Sequence, residues 1–202
     1  MGQPKKRDQK TTKAKLLKAA LDIFSKEGYD AATTRAIAKK AGVNESLIHR
    51  YFESKSGLFM ALKMQYREEF VSKFLENYKE VSSLQEEIEN FLRFKLENTR
   101  KNKKFFRLSI SRAILDPATR DTVQSYAKMK PRELVERFER LRQKGLLRKD
   151  VEIDSILDTV HIFSFALCVL SEGIACITDV EIERVIKTTS ETLVRGLAPK
   201  SK

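Results

Sequence analysis

Side chains able to make and break covalent bonds are few in this sequence and poorly grouped. His49 and His161 are its only imidazoles, and no G-x-S-x-G turn, glycine-rich phosphate loop or metal-spaced His/Cys set occurs. Acidic pairs such as Glu68-Glu69 and Glu86-Glu87 read as solvated helix surface. The two cysteines, Cys168 and Cys176, are too few for a disulfide scaffold. On one continuous helix they would stand ~12 Å apart along its axis, beyond disulfide reach, and they read as small buried hydrophobes. No catalytic residue, metal or cofactor is expected. What remains is recognition by charge and hydrogen bond. Residues 1–66 hold 14 Lys/Arg against 6 Asp/Glu, an excess of eight within a chain total of twelve. A concentrated basic segment is the electrostatic footprint of a nucleic-acid-binding module.

The elements that must present these groups are helices. The chain has 202 residues, 41% hydrophobic, with a net charge of +12 and a pI near 9.7. That length suits one to two domains with a substantial core. Seven Gly and four Pro are too few for a turn-rich β sandwich, so an all-α fold is expected. The longest nearly unbroken apolar run, Val160 to Leu170, is too short to span a bilayer. Residues 1–15 lack the apolar core of a signal peptide, and Lys6 stands where a myristoylation pattern wants Ser or Thr. A cytoplasmic, nucleoid-associated protein without a membrane partner is expected.

Residues 1–10, with Lys5, Lys6, Arg7 and Lys10, read as a basic flexible arm. Leu16, Ala20, Ile23 and Phe24 recur at helical spacing and predict a first helix over 12–26, stopped by Gly28. A second helix starts at Thr33-Thr34-Arg35 with Thr33 as N-cap and ends at Gly42, where positive φ is needed. Val43-Asn44-Glu45 leads into a third over 46–52, and a fourth begins near Ser54-Lys55. Two short helices joined by a Gly-containing turn form a helix-turn-helix. Ala38 permits their close approach, and Ile37, Val43, Ile48 and Tyr51 lock their angle.

The stretch Gly28-Tyr29, Thr33 to Val43, Ile48-His49-Arg50-Tyr51-Phe52, Ser54-Lys55 and Leu58-Phe59 resembles the TetR family of bacterial transcriptional regulators. The specific resemblance covers roughly residues 12–62. It implies an N-terminal three-helix DNA-binding domain, residues 11–56 with its motif at 33–52, and a larger effector-binding and dimerisation domain, residues 57–202. About nine helices in total follow from the helical periodicity. It also implies DNA-facing positions: Thr33, Thr34 and Arg35 on the second helix, Asn44, Glu45, Ser46, Leu47, His49, Arg50 and Tyr51 about the third, and Lys55 opening the fourth. Arg35 could fork to guanine O6 and N7, Leu47 touch a thymine methyl, and Glu45 accept from cytosine. His49 replaces the family's usual phosphate-contacting tyrosine, and Lys55 is expected to face a phosphate.

Leu62, Tyr66, Phe70, Phe74 and Tyr78 extend the fourth helix as a lever to about Glu80. Ser83 and Glu86 form a capping box for the fifth. Arg100–Lys104 reads as a solvated joint before a sixth helix over 105–115. A seventh spans 119–143 with a kink at Pro131. The last two run from about Asp154 to Ser171 and from Val180 to Gly196, too apolar for one partner layer. A second subunit is expected to cover them, through Ile162, Val169, Ile182, Val185, Ile186 and Leu193. Phe91, Phe94, Phe105, Phe106, Phe138, His161 and Phe165 are the candidates for an effector pocket. Abundant Phe without an evident buried charge points to a small hydrophobic effector.

The reading is a homodimeric regulator, a repressor by resemblance, that binds double-stranded DNA at an inverted-repeat operator and lets go when an effector binds. The alternative is a helical ligand-binding or protein-interaction module whose basic surface meets another acidic partner. Arg35→Ala separates them in a binding assay over varied duplexes. Base reading predicts a loss of ~1–3 kcal/mol with relaxed specificity at one position. A purely electrostatic surface predicts a smaller loss, equal across sequences.

Overall fold

The computed structural model describes residues 6–77, 81–116, 132–174 and 176–199. Among them there are nine α-helices and no strand: α1 (Lys6–Glu27), α2 (Thr34–Ala41), α3 (Ser46–Phe52), α4 (Lys55–Asn77), α5 (Leu84–Lys101), α6 (Lys103–Leu115), α7 (Arg132–Gln143), α8 (Ile153–Cys168) and α9 (Asp179–Leu197). A π turn, Val169–Gly173, extends α8.

Caps and apolar spacing account for most of these boundaries. Thr33 accepts from the Ala36 N–H at 3.1 Å, and Gly42 ends α2 in the left-handed conformation at φ 67°, where a Cβ would be strained. Ser83 accepts from the Glu86 N–H at 3.1 Å, giving the N-cap half of the expected box. A complete capping box opens α9, with Thr178 and Glu181 bonded reciprocally.

Several expectations are corrected. The first helix begins at Lys6, so residues 6–10 of the expected arm are helical; Asp8 lies in the first turn and Thr12 Oγ1 donates to its carbonyl at 2.7 Å. Residues 1–5, Tyr78 to Glu80 and the part of the seventh helix over 119–131, with Pro131, lie outside the described residues. The cysteines do not share a helix: Cys168 is buried in α8, and Cys176 is exposed beyond the π turn. Only Cys168 fits the reading as a buried hydrophobe. The run from Val160 belongs to a longer helical stretch, Ile153–Gly173, whose 21 residues include an 18-residue window of mean hydropathy 1.7, sufficient in length and composition to cross a membrane. Its inner face, from Ile153 through Ile156, Leu157, Val160 and Leu167, is buried inside the bundle.

Two cores organise the chain. The first joins Leu16, Ala20 and Phe24 of α1 to Ile37 and Ala38 of α2, Ile48 and Phe52 of α3, and Leu58, Phe59 and Leu62 of α4. It also draws in Leu108 from α6. The second packs Phe74 of α4, the stripe Leu84, Ile88, Phe91, Leu92 and Leu96 of α5, and inward residues of α7, α8 and α9. The α4 helix therefore runs from one core into the other.

Ile182 and Ile186 lie in this second core, at 1% and 0% exposure, so they are not surface for a partner. Val185 and Leu193 are half-buried against the same core because the apolar stripe of α9 faces inward and its charges face out. Val169 is half-buried, and Ile162 is 68% exposed on α8.

The second core also contains an ion pair. Arg137 of α7 and Glu87 of α5 are both buried, with Nε 2.8 Å from Oε1. Desolvation opposes the attraction of such a pair, so losing one partner costs more than losing both. Arg137→Met or Glu87→Leu alone is expected to lower stability by ~3–5 kcal/mol, whereas the double replacement should be neutral or gain ~1–4 kcal/mol. Urea unfolding measures this. Single variants as stable as the parent would mean that the pair carries little energy.

Candidate nucleic-acid interface

The turn between α2 and α3 holds the two helices by packing and local hydrogen bonds. Ile37 and Ile48 are fully buried, and Ala38 at 2% exposure leaves room for the close approach. The Val43 N–H donates to the Ala38 carbonyl at 3.1 Å, and Asn44 Oδ1 accepts from the Ser46 N–H at 2.9 Å to start α3. Thr34 Oγ1 donates to Glu45 Oε1 at 2.5 Å, tying the start of α2 to that of α3. Thr34, Asn44 and Glu45 therefore have work inside the module. Glu45 is turned toward Thr34 and is not held free for a cytosine, a correction that follows from the close approach of the two helix N-termini.

The outward face of α3 carries Ser46, His49 and Arg50, all exposed and three to four residues apart. Leu47 is half-buried against the first core, so only part of it is available for a base methyl. His49 Nδ1 lies 3.2 Å from the Glu53 carbonyl oxygen; a proton on Nδ1 would donate there and leave Nε2 as acceptor. The Arg50 guanidinium lies 5.9 Å from the Tyr51 ring centroid and Lys13 Nζ lies 5.5 Å from it, joining α1 to α3 through one half-buried ring. Arg35, exposed beside the capped start of α2, and Thr33, whose oxygen makes that cap, complete the surface.

Lys55 departs most from expectation. Its Nζ donates to the carbonyls of Tyr29 at 2.9 Å, Asp30 at 3.1 Å and Ala32 at 2.9 Å. A lysine ammonium has three donors, and all three are used within the protein, so none is left for a phosphate. The same ammonium lies 4.6 Å from the Tyr29 ring centroid, and the Arg112 guanidinium of α6 lies 3.9 Å from that ring. Burial pushes the Tyr29 hydroxyl above the usual tyrosine range, although Arg112 and a hydrogen bond from Ser56 work against the shift.

Gly57 is a further determinant that residue spacing does not mark. A Cβ there would stand 1.8 Å from the Phe52 carbonyl oxygen, so the backbone crossing from α3 into α4 admits no side chain. Lys63 is another. It is 5% exposed, and its Nζ has no hydrogen-bond partner among the described residues. The ammonium lies 5.0 Å from the Phe59 ring centroid. Burial, reinforced by Arg112, pushes its pKa below the usual lysine range. Tyr29 could have been suspected from its place just after the Gly28 stop, but no local pattern marks Lys63.

The α6 helix faces both cores. Toward α1, Lys104 pairs with Asp22 at 3.3 Å, and Arg112 pairs with Asp30 at 3.1 Å. Toward the π turn, the buried Glu172 accepts from Arg100 at 2.9 Å and pairs with Lys103 at 3.1 Å, while Arg107 Nε donates to the Glu172 carbonyl at 2.6 Å. Burial opposes the charge on the Glu172 carboxyl, but Lys103 and Arg100 hold it below the usual range. The joint over 100–104 is therefore an ion-pair junction, not a merely solvated stretch. An open cleft of about 680 Å³ lies between the end of α1 and α6, with Tyr29, Arg107 and Arg112 in its wall.

The seven effector-pocket candidates do not converge on one site. Phe91 and Phe138 are buried in the second core, with Phe94 half-buried against it. Phe105 stacks on Tyr66 at 4.0 Å beside the first core. Phe106 meets Phe165 edge to face at 6.3 Å, with Phe165 45% exposed and His161 half-buried on α8. Apolar spacing identifies helix faces, but it does not say which faces meet.

The model of the family described as bacterial regulatory proteins, tetR family, matches residues 16–62. Over 55 residues the chain is 46% identical to YvkB of Bacillus subtilis (strain 168), an uncharacterized HTH-type transcriptional regulator; the match covers 27% of this chain and 29% of that protein. Among solved structures, Salmonella enterica GusR superposes with a TM-score of 0.70 at 19% identity, covering 92% of this chain and 94% of the other. A TetR-like transcriptional regulator from Rhodococcus sp. RHA1 gives 0.64 at 21% identity, covering 92% and 96%. These last two likenesses concern the fold.

Lys55→Met separates internal support from phosphate contact. Support predicts that the module loses ~1.5–3 kcal/mol, the worth of hydrogen bonds to a charged group, with the salt dependence of DNA binding unchanged. A phosphate contact predicts unchanged stability and a salt slope shallower by about one. Thermal unfolding and a salt titration of DNA affinity report the two outcomes.

Proposed function

We infer that this chain, whose residues 16–62 match the model of the tetR family of bacterial regulatory proteins, is a TetR-family member and a sequence-specific, DNA-binding transcriptional regulator. The observation that carries the reading is the exposed face of α3, Ser46, His49 and Arg50, on a helix fixed against α2 by Ile48 and flanked by Arg35. A helix so presented fits the B-DNA major groove, about 12 Å wide. Arg35 and Ser46 are assigned to base edges. Arg50, His49 and Tyr51 are assigned to the phosphate backbone, where contacts set register.

The active form is a homodimer acting as a repressor in the cytoplasm, on the nucleoid. The exposed apolar residues of α8 and the π turn, Ile162, Phe165 and Leu170, support this by offering a surface that a second copy would cover. Two recognition helices then meet half-sites ~34–36 Å apart or a multiple of that spacing, which calls for an inverted repeat. A small effector in the second core releases the operator by moving α6. Its ion pairs to Asp22 and Asp30 on one side and to Glu172 on the other transmit the motion, and the α4 lever moves with it. A ligand acts in this way only through unequal affinity for the two arrangements.

Fragmented genomic DNA and random duplexes, incubated with the purified full chain and recovered at moderate salt, test this by sequencing. An enriched inverted repeat is expected. Retention without a common sequence would overturn sequence reading and favour the basic surface as a site for another acidic partner.

A further inference from the structure

The second core holds an unbalanced charge. On α5 the buried positions Leu84, Ile88, Phe91, Leu92, Leu96 and Thr99 form one stripe, and Lys95 falls on it, one turn after Phe91 and one turn before Thr99. Its Nζ lies 4.8 Å from the Phe70 ring centroid. Beside it is the buried Cys168 of α8, whose Sγ is 3.9 Å from the Lys95 carbonyl oxygen and whose thiol has Thr99 as a neighbour. Among the described residues no hydrogen bond or ion pair joins the Lys95 ammonium to a carboxylate. Among the described residues, other charges in and beside this core are matched: Arg137 by Glu87, and Glu89 by Arg93 and Ser190.

The surroundings are aromatic and incompletely closed. Phe70 and Phe74 of α4 meet Phe94 edge to face at 5.2 and 5.5 Å. Phe74 and Cys168 are buried, but Phe70, Phe94 and Lys95 are only half-buried, so the cluster reaches the surface where those three meet. Burial pushes the Lys95 pKa below the usual lysine range, with Cys168 the neighbour that opposes the shift. An ammonium so placed is costly unless it gains a counter-ion. A charge placed against phenyl rings binds an anion whose remaining surface is apolar.

We propose that Lys95 is the anion anchor of the effector site, and that the effector is a carboxylate-bearing amphiphile. Its carboxylate accepts from Lys95 Nζ beside Thr99, and its hydrocarbon body packs on Phe70, Phe74 and Phe94. The assignment rests on the effector-controlled reading above and narrows it. The effector expected from the sequence was simply hydrophobic, because a lone lysine among apolar residues of a helix passes for a solvated position. The buried stripe of α5 instead turns that lysine inward.

Dodecanoate and dodecanol serve as probes, since they share a chain and differ in charge. Each is titrated by calorimetry into the full chain and into K95M and K95R, below the concentration at which either probe self-associates. Release of a fluorescent operator fragment is followed in parallel. The parent chain should bind dodecanoate ~10–100-fold more tightly than dodecanol, the worth of one charge-assisted hydrogen bond. K95M should bring the two probes within about twofold, leave dodecanol binding unchanged, and melt no lower than the parent, because the charge it removes makes no ion pair among the described residues. K95R should keep the preference for the acid. A parent that does not favour dodecanoate, or a K95M variant that keeps the parental preference, overturns the proposal. If operator binding persists in either case, the regulator reading stands and only the effector class falls. Loss of operator binding by the parent without ligand would strike at the regulator reading itself.

Discussion

The orientation of the exposed α3 face depends on one ammonium group. Lys55 donates to three carbonyls of the chain between α1 and α2, and so fastens the start of α4 to the segment that launches α2. Tyr29 lies in the same knot, with Lys55 on its ring and Arg112 of α6 against it. Four helices are thereby referred to a single point. An exposed ion pair of two long side chains would be a poor substitute, since such pairs contribute little and are screened by salt. Carbonyls that the turn cannot satisfy within a helix give the ammonium a fixed geometry and give themselves a donor.

Much of this architecture was legible in the sequence because it is local. The Thr33 cap, the Gly42 turn and the limits of α3 follow from residues adjacent in the chain. The roles of Thr34, Glu45 and Lys55 were not legible, because each is decided by a group eleven to twenty-six residues away. A polar side chain in a basic module reads as outward-facing until its partner is known. The apolar stripe of α9 shows the same limit: Ile182 and Ile186 read equally as core or interface, and only packing places them inside.

Charge on α6 is divided between two tasks. Lys104 and Arg112 reach back to Asp22 and Asp30 on the side of the first core, while Lys103 and Arg107 hold Glu172 on the other. Leu108, between them in the sequence, is the buried residue that α6 contributes to the first core, with Phe105 packed beside it. The helix therefore meets both cores through its apolar residues and carries ion pairs toward each. Small sliding of a packed helix is one of the ordinary ways by which a closed fold changes state.

The π turn after α8 carries Glu172, and its geometry has a consequence for how the two halves stay in step over evolutionary time. A π turn is accommodated in an α-helix as one inserted residue, and one residue turns whatever follows by about 100° around the axis. A chain shorter by one residue at this point would wind straight through and point its acid away from Lys103 and Arg100. Descendants could exchange most residues of the turn and keep the linkage, but they could not change its length. What this segment must keep is its number of residues and the acid at 172, while the other side chains are less constrained.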